Sequence, residues 1–393
     1  IQACGIRFIK MGIPAFESTK TNEEVRTQIV SLVRDFVRRD VIPIANQYDN
    51  EDIYPFELVE KLKELGLFGI TIPELYGGLG LDHTTFAMLF EELSKGWMSV
   101  SGIIGTLHVM ADIITRFGTE EQKNKYMVPA VKGEFHGSSA FSEPGAGGDM
   151  AGIQTTIEQS QDGWVINGNK CWIFKAKTAR FILVLTRLKG TERHDGLQWV
   201  IVDAGTPGFT IGREQKMIHG QNTYELFFDN CVVDAKQLLG KTGQAWASGT
   251  DYLFSGRIQI AARALGIADR CLEMATEYAK VRHTFGKPLS SRQAIQWMIA
   301  DSALELHNCR LLVYDTALRA QEGEKVYLQT AMSKLHATEM VTKVVDKAMQ
   351  IHGAAGLSDE TILERCYRDI RPMRIYEGTS EALRSMIAKE LLR

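Results

Sequence analysis

The period of the hydrophobic pattern changes twice along this chain, and no single-layer architecture accommodates both changes. From Glu23 apolar residues recur every three or four positions, with Val25, Ile29, Val33 and Val37 leading, as in helices that bury one stripe. Around Lys132 the texture turns to short β-like runs separated by Gly and Pro. From Ala245 the helical period returns and holds to the end. The chain therefore reads as an α+β multidomain protein: an N-terminal extension (residues 1–20), an α-helical N-terminal domain (21–131), a middle β-barrel domain (132–244) and a C-terminal four-helix bundle (245–393). A length of 393 residues is enough for cores of this number and size.

Finer punctuation follows the same rules. A helix over residues 23–45 is expected to stop at Pro43, and one over 56–67 to close at Gly66. Further helices are expected over 84–93 and 102–117, the latter lined by Ile103, Leu107, Met110 and Ile114. The glycines of Ile72-Pro73-Glu74-Leu75-Tyr76-Gly77-Gly78-Leu79-Gly80 make a loop and do not spell Gly-x-Gly-x-x-Gly, so no dinucleotide fold is implied. Asn167-Gly168, between Trp164-Val165-Ile166 and Cys171-Trp172-Ile173-Phe174, is a two-residue hairpin signal. Strands are expected over 181–186, 197–203 and 225–233. Helices follow over 257–282, 290–321, 326–351 and from Glu381. The third-block stripe Ile295, Ile299, Ala303, Leu306, Cys309, Val313 and Ala317 reads as core or subunit interface.

Composition excludes several classes. A net charge of −3 gives no electrostatic footprint for nucleic acid. Six cysteines (Cys4, Cys171, Cys231, Cys271, Cys309, Cys366) lie far apart without a Cys-x-x-Cys pair, which is free-thiol usage in a reducing compartment. The nine histidines contain no His-Glu-x-x-His, so no metal is expected. No apolar run reads as a membrane span, which takes ~18 residues. Residues 1–16 carry Arg7 and Lys10 and no acid, fitting either a targeting remnant or a leader ahead of a start at Met11.

The chemistry concentrates in Arg374-Ile375-Tyr376-Glu377-Gly378-Thr379-Ser380-Glu381. Glu377 stands between an aromatic ring, which would shield it and raise its pKa, and a glycine, which lets a ligand approach the backbone. Thr379 offers a hydroxyl and an N–H at a helix start. These are the parts of a general base beside a carbonyl. They are equally the parts of a solvated acid ahead of a capped helix.

Tyr376-Glu377-Gly378-Thr379-Ser380-Glu381 resembles the C-terminal signature of the acyl-CoA dehydrogenase family. Landmarks in the same order extend the resemblance from about Thr21 to Arg393: the Pro73-Glu74 glycine loop, Phe117-Gly118-Thr119-Glu120-Glu121-Gln122-Lys123, Phe141-Ser142-Glu143-Pro144-Gly145-Ala146-Gly147-Gly148-Asp149, Trp172-Ile173-Phe174, Arg282-His283-Thr284-Phe285-Gly286-Lys287 with Gln293, and Gln350-Ile351-His352-Gly353-Ala354. The resemblance implies FAD-dependent α,β-dehydrogenation of an acyl thioester, with the α-proton passing to Glu377 and the β-hydride to flavin N5. It places Phe141, Ser142, Gly148, Trp172, Ile173 and Phe174 around the flavin, Ser142 at the pyrimidine edge and Trp172 on the ring face. Arg282, Thr284, Phe285 and Gln293 would grip adenosine and pyrophosphate across a dimer interface, with Gln350, Gly353, Ala354, Thr379 and Glu381 completing the cofactor set. Gly148, Phe254, Arg257, Tyr376 and Gly378 would face the substrate, and the helix over 102–117 would wall its acyl pocket. The family also implies a homotetramer, electron transfer to an electron-transfer flavoprotein, and a bacterial cytoplasmic or mitochondrial matrix location.

Four positions depart from the family pattern. Phe174 replaces a hydroxyl residue at flavin N5, Gly148 a Ser, Ala354 a Gly, and Phe254 an Asp that holds the pantetheine arm. Gly256 stands where some relatives carry the catalytic glutamate, which leaves Glu377 as the base. Gly148 and Phe254 raise the alternative of an acyl-carrier-protein thioester; Phe174 raises that of a flavin oxidase or monooxygenase.

Overall fold

A computed structural model describes residues 20–218, 222–243 and 245–393, with the side chains of residues 246–253 left aside. The expectation for residues 1–16 lies outside the described residues. The first block is helical: α1 (Glu23–Phe36), α2 (Ile42–Asn50), α3 (Phe56–Glu64), α4 (His83–Gly96) and α5 (Met98–Phe117), then the short turns α6 (Glu120–Gln122) and α7 (Val128–Val131). Asn22, Asp82 and Thr119 cap α1, α4 and α6 by accepting first-turn N–H groups. Pro43 does not end the first helix. A π-helical turn at Val37–Val41 intervenes, and Pro43 sits in the opening turn of α2, where its missing N–H costs no hydrogen bond. Gly66 ends the α3 segment in the left-handed region at φ 68°, as expected. Helix α5 is long and apolar enough to cross a membrane, contrary to the sequence-based expectation, but 94% of its apolar window is buried inside the protein.

The middle block is a mixed sheet of β1 (Gly137–Ala140), β2 (Thr156–Ser160), β3 (Gly163–Phe174), β4 (Phe181–Leu188), β5 (Leu197–Asp203), β6 (Phe209–Gln215), β7 (Thr223–Val233) and β8 (Leu238–Leu239). The order is β6-β7-β3-β2-β4-β5-β8, with β1 parallel to β4. Asn167-Gly168 is not a hairpin. Strand β3 runs straight through it, and the register against β7 shifts there. Gly168 has φ 144° and lies against Thr155, where a Cβ would overlap backbone, so the dipeptide makes a bulge that bends the strand. A second shift, between Lys170 and Ile173, re-aims Trp172.

The third block packs α8 (Ala245–Val281), α9 (Gln293–Gln321), α10 (Tyr327–His352), α11 (Ile362–Ile370) and α12 (Ser380–Leu391), with a hairpin of β9 (His283–Thr284) and β10 (Lys287–Pro288) between α8 and α9. One core joins this bundle to the N-terminal helices. The α9 stripe is corrected at one position. Ile295 and Ile299 pack partly buried against the core and Leu306, Cys309, Val313 and Ala317 are buried, but Ala303 is exposed and Ser302 takes its place in the row. The five described cysteines are free and buried.

A buried ion pair ties the sheet to the loop that follows β1. Lys170 Nζ donates to Glu143 Oε1 at 2.8 Å and to the Phe141 carbonyl at 3.0 Å, and the Glu143 carboxylate also accepts the N–H groups of Gln154 and Thr155. Burial pushes Lys170 down to about 8, against the pull of Glu143. At Glu143 burial acts upward, but Lys170 and the two N–H groups outweigh it and hold the carboxyl low, so both are charged at neutral pH. Removing one partner strands the other charge, at a cost of about 3–5 kcal/mol. Lys170→Met is expected to lower the thermal unfolding midpoint and loosen the 141–149 loop, and Lys170→Met/Glu143→Leu to recover part of the loss by calorimetry.

Candidate active site

The Glu377 turn is stapled to α10 from both sides. Glu339 Oε1 accepts from Arg374 Nε at 3.0 Å and from Ser380 Oγ at 2.7 Å. Between these, the Gly378 carbonyl accepts from Lys334 Nζ at 2.6 Å. The staples hold Glu377 at φ 54° and Gly378 at φ 97°. A non-glycine residue held left-handed costs about 1–3 kcal/mol and persists only where its surroundings over-determine it.

That backbone delivers the carboxylate onto α8. A Cβ built on Gly256 would lie 2.5 Å from Glu377 Oε2 and 2.7 Å from Cδ. Glu377 is partly accessible yet closely surrounded by protein, as at the floor of a cleft. Burial raises its pKa above the ordinary carboxylate value, opposed at a distance by Arg257, Lys334 and Arg263. Its carboxylate makes no hydrogen bond to any described residue, and neither does its backbone N–H. The acid therefore keeps its lone pairs, and the N–H keeps its proton, for a ligand.

The predicted substrate group divides. Tyr376, Glu377, Gly378 and Arg257 come together; Arg257 is buried with its guanidinium 5.6 Å from the Tyr327 ring centroid, and Nη2 is close to Gly378. Phe254 instead stacks edge-on against His83 with centroids 4.8 Å apart, partly buried in the core. Gly148 is exposed at the tip of its loop with nothing within 4 Å of a built Cβ.

The predicted flavin group sits on two surfaces. Around the sheet, Trp172 is 55% exposed in the left-handed region at φ 62°, with its N–H given to Gln215 Oε1. The Ser142 carbonyl accepts the Cys171 N–H. Phe141 packs edge-on against Trp199. Ile173 points into the sheet core, so only its backbone is open to a ligand. The Phe174 carbonyl accepts from Ser138 Oγ at 2.6 Å, and Lys175 Nζ stands 5.4 Å from its ring centroid. On the bundle, Arg282, Phe285, Gln293, Gln350, Gly353, Ala354 and Glu381 are exposed and Thr284 is half-buried. Phe285 is 98% exposed at φ 49°. Thr379 Oγ1 accepts the Ala382 N–H and caps α12.

The open glycine loop, with Gly145, Gly147 and Gly148 all free of neighbours within 4 Å, and the strained, outward Trp172 and Phe285 fit a large planar cofactor with a phosphate arm. The chain matches the acyl-CoA dehydrogenase N-terminal domain over residues 23–134, the middle domain over 138–231 and the C-terminal domain over 230–392. It belongs to the acyl-CoA dehydrogenase family. It is 37% identical to the rat mitochondrial short-chain specific acyl-CoA dehydrogenase over 374 residues, covering 94% of this chain and 90% of that protein. The structure of butyryl-CoA dehydrogenase from Megasphaera elsdenii superposes with a TM-score of 0.90 at 34% identity, covering 95% of this chain and 99% of that one. An FAD complex of PigA superposes with a TM-score of 0.90 at 26% identity, covering 94% and 98%. The family's members are FAD-dependent oxidoreductases acting on CH–CH bonds.

Sequence reasoning missed Lys334, although a signal existed. It lies in the buried phase of α10 with Ala331, Thr338 and Val341, where a lysine has no business unless it has a partner. Burial pushes it down to about 8, against the pull of Glu377. Gly256→Ala tests the fit between α8 and the acid. The methyl group must displace the carboxylate, and a misplacement near 1 Å costs ~100-fold in rate. Turnover is expected to collapse while flavin absorbance and circular dichroism stay unchanged.

Proposed function

We propose that this chain catalyses FAD-dependent α,β-dehydrogenation of an acyl-CoA thioester with Glu377 as the general base. The observation that carries the reading is the Glu377 carboxylate, without a hydrogen-bond partner among the described residues, raised in pKa and held over Gly256. A base must be within hydrogen-bond reach of the proton it removes and have a pKa near the working pH. Burial tunes Glu377 in that direction.

The free Glu377 N–H is placed to donate to the thioester carbonyl, polarising it so that the α-proton becomes acidic. Glu377 then takes that proton. FAD, when bound, would supply the two-electron oxidation as acceptor of the β-hydride. The backbone of the 141–149 loop and the outward Trp172 would hold its ring, and the Arg282–Phe285 hairpin with Gln293 and the Gln350–Ala354 turn its nucleotide arm. Phe174 offers no hydroxyl to the ring, so its side chain cannot tune the flavin by hydrogen bonding. An electron-transfer flavoprotein would be the acceptor of the two electrons.

The hairpin and the Gln350 turn are exposed and would serve a neighbouring subunit. Helix α9 supports this with a second apolar stripe at seven-residue spacing, Trp297, Leu304, Leu311 and Leu318, each at least 41% exposed. A row of this kind marks an interface. Leu304→Lys/Leu311→Lys is expected to convert an oligomer to smaller species by light scattering, with loss of FAD; unchanged mass would remove α9 from the interface.

Anaerobic titration with acyl-CoAs tests the activity. One class is expected to bleach the flavin, and Glu377→Gln to bind the same ligand without bleaching. The acid limb of kcat/KM should lie above the usual carboxylate range, because protonated Glu377 cannot accept the α-proton and rate is lost as pH falls through its raised pKa. Bleaching by Glu377→Gln at the wild-type rate sinks the assignment. Rapid peroxide release on admitting air points to an oxidase instead.

A further inference from the structure

Between Ile258 and Ala268, α8 is apolar apart from Gln259 and Arg263, four residues apart on one face. Both are buried, Gln259 at 3% and Arg263 at 6% exposure. They fill the space over Gly105 of α5 so closely that a Cβ there would fall on Gln259 Oε1 and Arg263 Nη2. Gln259 Nε2 donates to the Gly105 carbonyl at 3.2 Å, and Arg263 Nη2 donates to Gln259 Oε1 at 2.6 Å and to the Ser101 carbonyl at 3.0 Å. Arg263 also lies 5.4 Å from the Phe90 ring centroid and contacts the Tyr376 side chain.

What this cation lacks is a counter-charge. Among the described residues no carboxylate forms an ion pair with Arg263, and its buried Nε–H has no hydrogen-bond partner. A guanidinium remains protonated at any working pH. Buried charges are normally paired, so an unpaired one with a spare donor beside a catalytic base points to a ligand. Glu377 does not fill the role: it acts on Arg263 only at a distance and is needed for the proton.

The placement defines the ligand. Gly256, beneath the Glu377 carboxylate, and Arg263 are seven residues apart on α8, about 10 Å at ~1.5 Å per residue, and helical side chains lean back toward the N-terminus. The guanidinium therefore stands a short distance along α8 from where the reacting α-carbon would lie beside Glu377, a separation that suits an acyl group of about four or five carbons. Gly105 lets α5 and α8 approach closely over the pair, and holds both side chains in place.

We propose that Arg263, supported by Gln259, is the specificity residue of this pocket, and that the substrate is a short acyl thioester whose far end carries a carboxylate. This rests on the dehydrogenase reading above. The planar fork of Arg263 receives the carboxylate, Gln259 holds the fork in register, and the α,β-carbons are thereby set beside Glu377.

Steady-state kinetics and anaerobic flavin bleaching of the holoenzyme with glutaryl-CoA, butyryl-CoA and hexanoyl-CoA test it, with Arg263→Met and Arg263→Lys alongside. Wild type is expected to prefer glutaryl-CoA in kcat/KM by at least about tenfold over both neutral thioesters. Arg263→Met should lose about 100-fold on glutaryl-CoA while gaining on hexanoyl-CoA, since a buried charge pair is replaced by apolar space. Arg263→Lys keeps the charge without the fork and should fall between; flavin content checks that each variant folds, and the lysine variant carries the test if the methionine one does not. A wild type bleached by butyryl-CoA but not by glutaryl-CoA overturns the assignment of Arg263 and leaves Glu377 standing. Equal losses on all three thioesters in both variants overturn it too, by making Arg263 a packing residue. Bleaching by none of the three sinks the dehydrogenase reading and this inference together.

Discussion

The hold of α10 on the turn between Arg374 and Ser380 is the constraint on which the site depends. Two α10 side chains, Lys334 and Glu339, meet three groups of that turn within 3.0 Å. Without them, a left-handed glutamate followed by a glycine at φ 97° would relax to ordinary backbone, and the carboxylate would swing off α8. A fully buried lysine is a costly staple. Its carbonyl partner satisfies one proton, and the nearby Glu377 gives it a favourable field. The same field lets Glu377 ionise despite its burial, so staple and base stabilise each other's charged forms.

The two halves of the site use strain differently. On the bundle, strain aims one small acid and is locked by buried polar contacts. On the sheet, it turns a large ring outward: Trp172 sits at φ 62° between a bulge and the end of β3, tied only through its N–H to Gln215. The sheet is anchored to its glycine loop through Glu143, near the loop's start, by the Lys170–Glu143 pair, which leaves Gly145, Gly147 and Gly148 unencumbered. A rigid frame carrying an open loop is how a site presents backbone amides without burying them in its own packing.

Fold class was legible because the hydrophobic period is a global signal, and it survives local surprises. Three local expectations failed for identifiable reasons. Pro43 was read as a stop, but a π-turn had already reset the hydrogen-bond ladder, so the proline opens a new helix. Asn167-Gly168 carries hairpin chemistry, but its glycine serves a close approach to Thr155 inside one long strand, which no dipeptide reveals. Ala303 was read into the α9 stripe, but the row facing the core steps from Ile299 to Ser302 to Leu306, so a polar residue holds the inward position and the apolar one beside it faces outward. At the site, the octapeptide around Glu377 announced an acid and left its role open. What resolves that is tertiary: the position of Gly256 beneath it, more than a hundred residues earlier, and of Lys334 beside it.

Gly256 also explains why this cleft holds one acid. A Cβ at this position and the Glu377 carboxylate would compete for the same volume, so any side chain at 256 must displace Glu377. Two carboxylates in that volume would repel, and one would be driven neutral, removing the base from part of the population. A glycine on one wall and a glutamate on the other give one charge with a single raised pKa. The departure at Phe254 then falls into place. Two residues before Gly256, an acid at 254 would add a negative charge on the same helix turn; the chain instead places an aromatic ring there, stacked on His83, which burial holds near a pKa of about 4 and hence uncharged at neutral pH. Among the described residues the charged groups acting on Glu377 are the cations Arg257, Arg263 and Lys334, an arrangement that lowers the energy of an anionic base and of any negative charge that develops on a ligand bound against it.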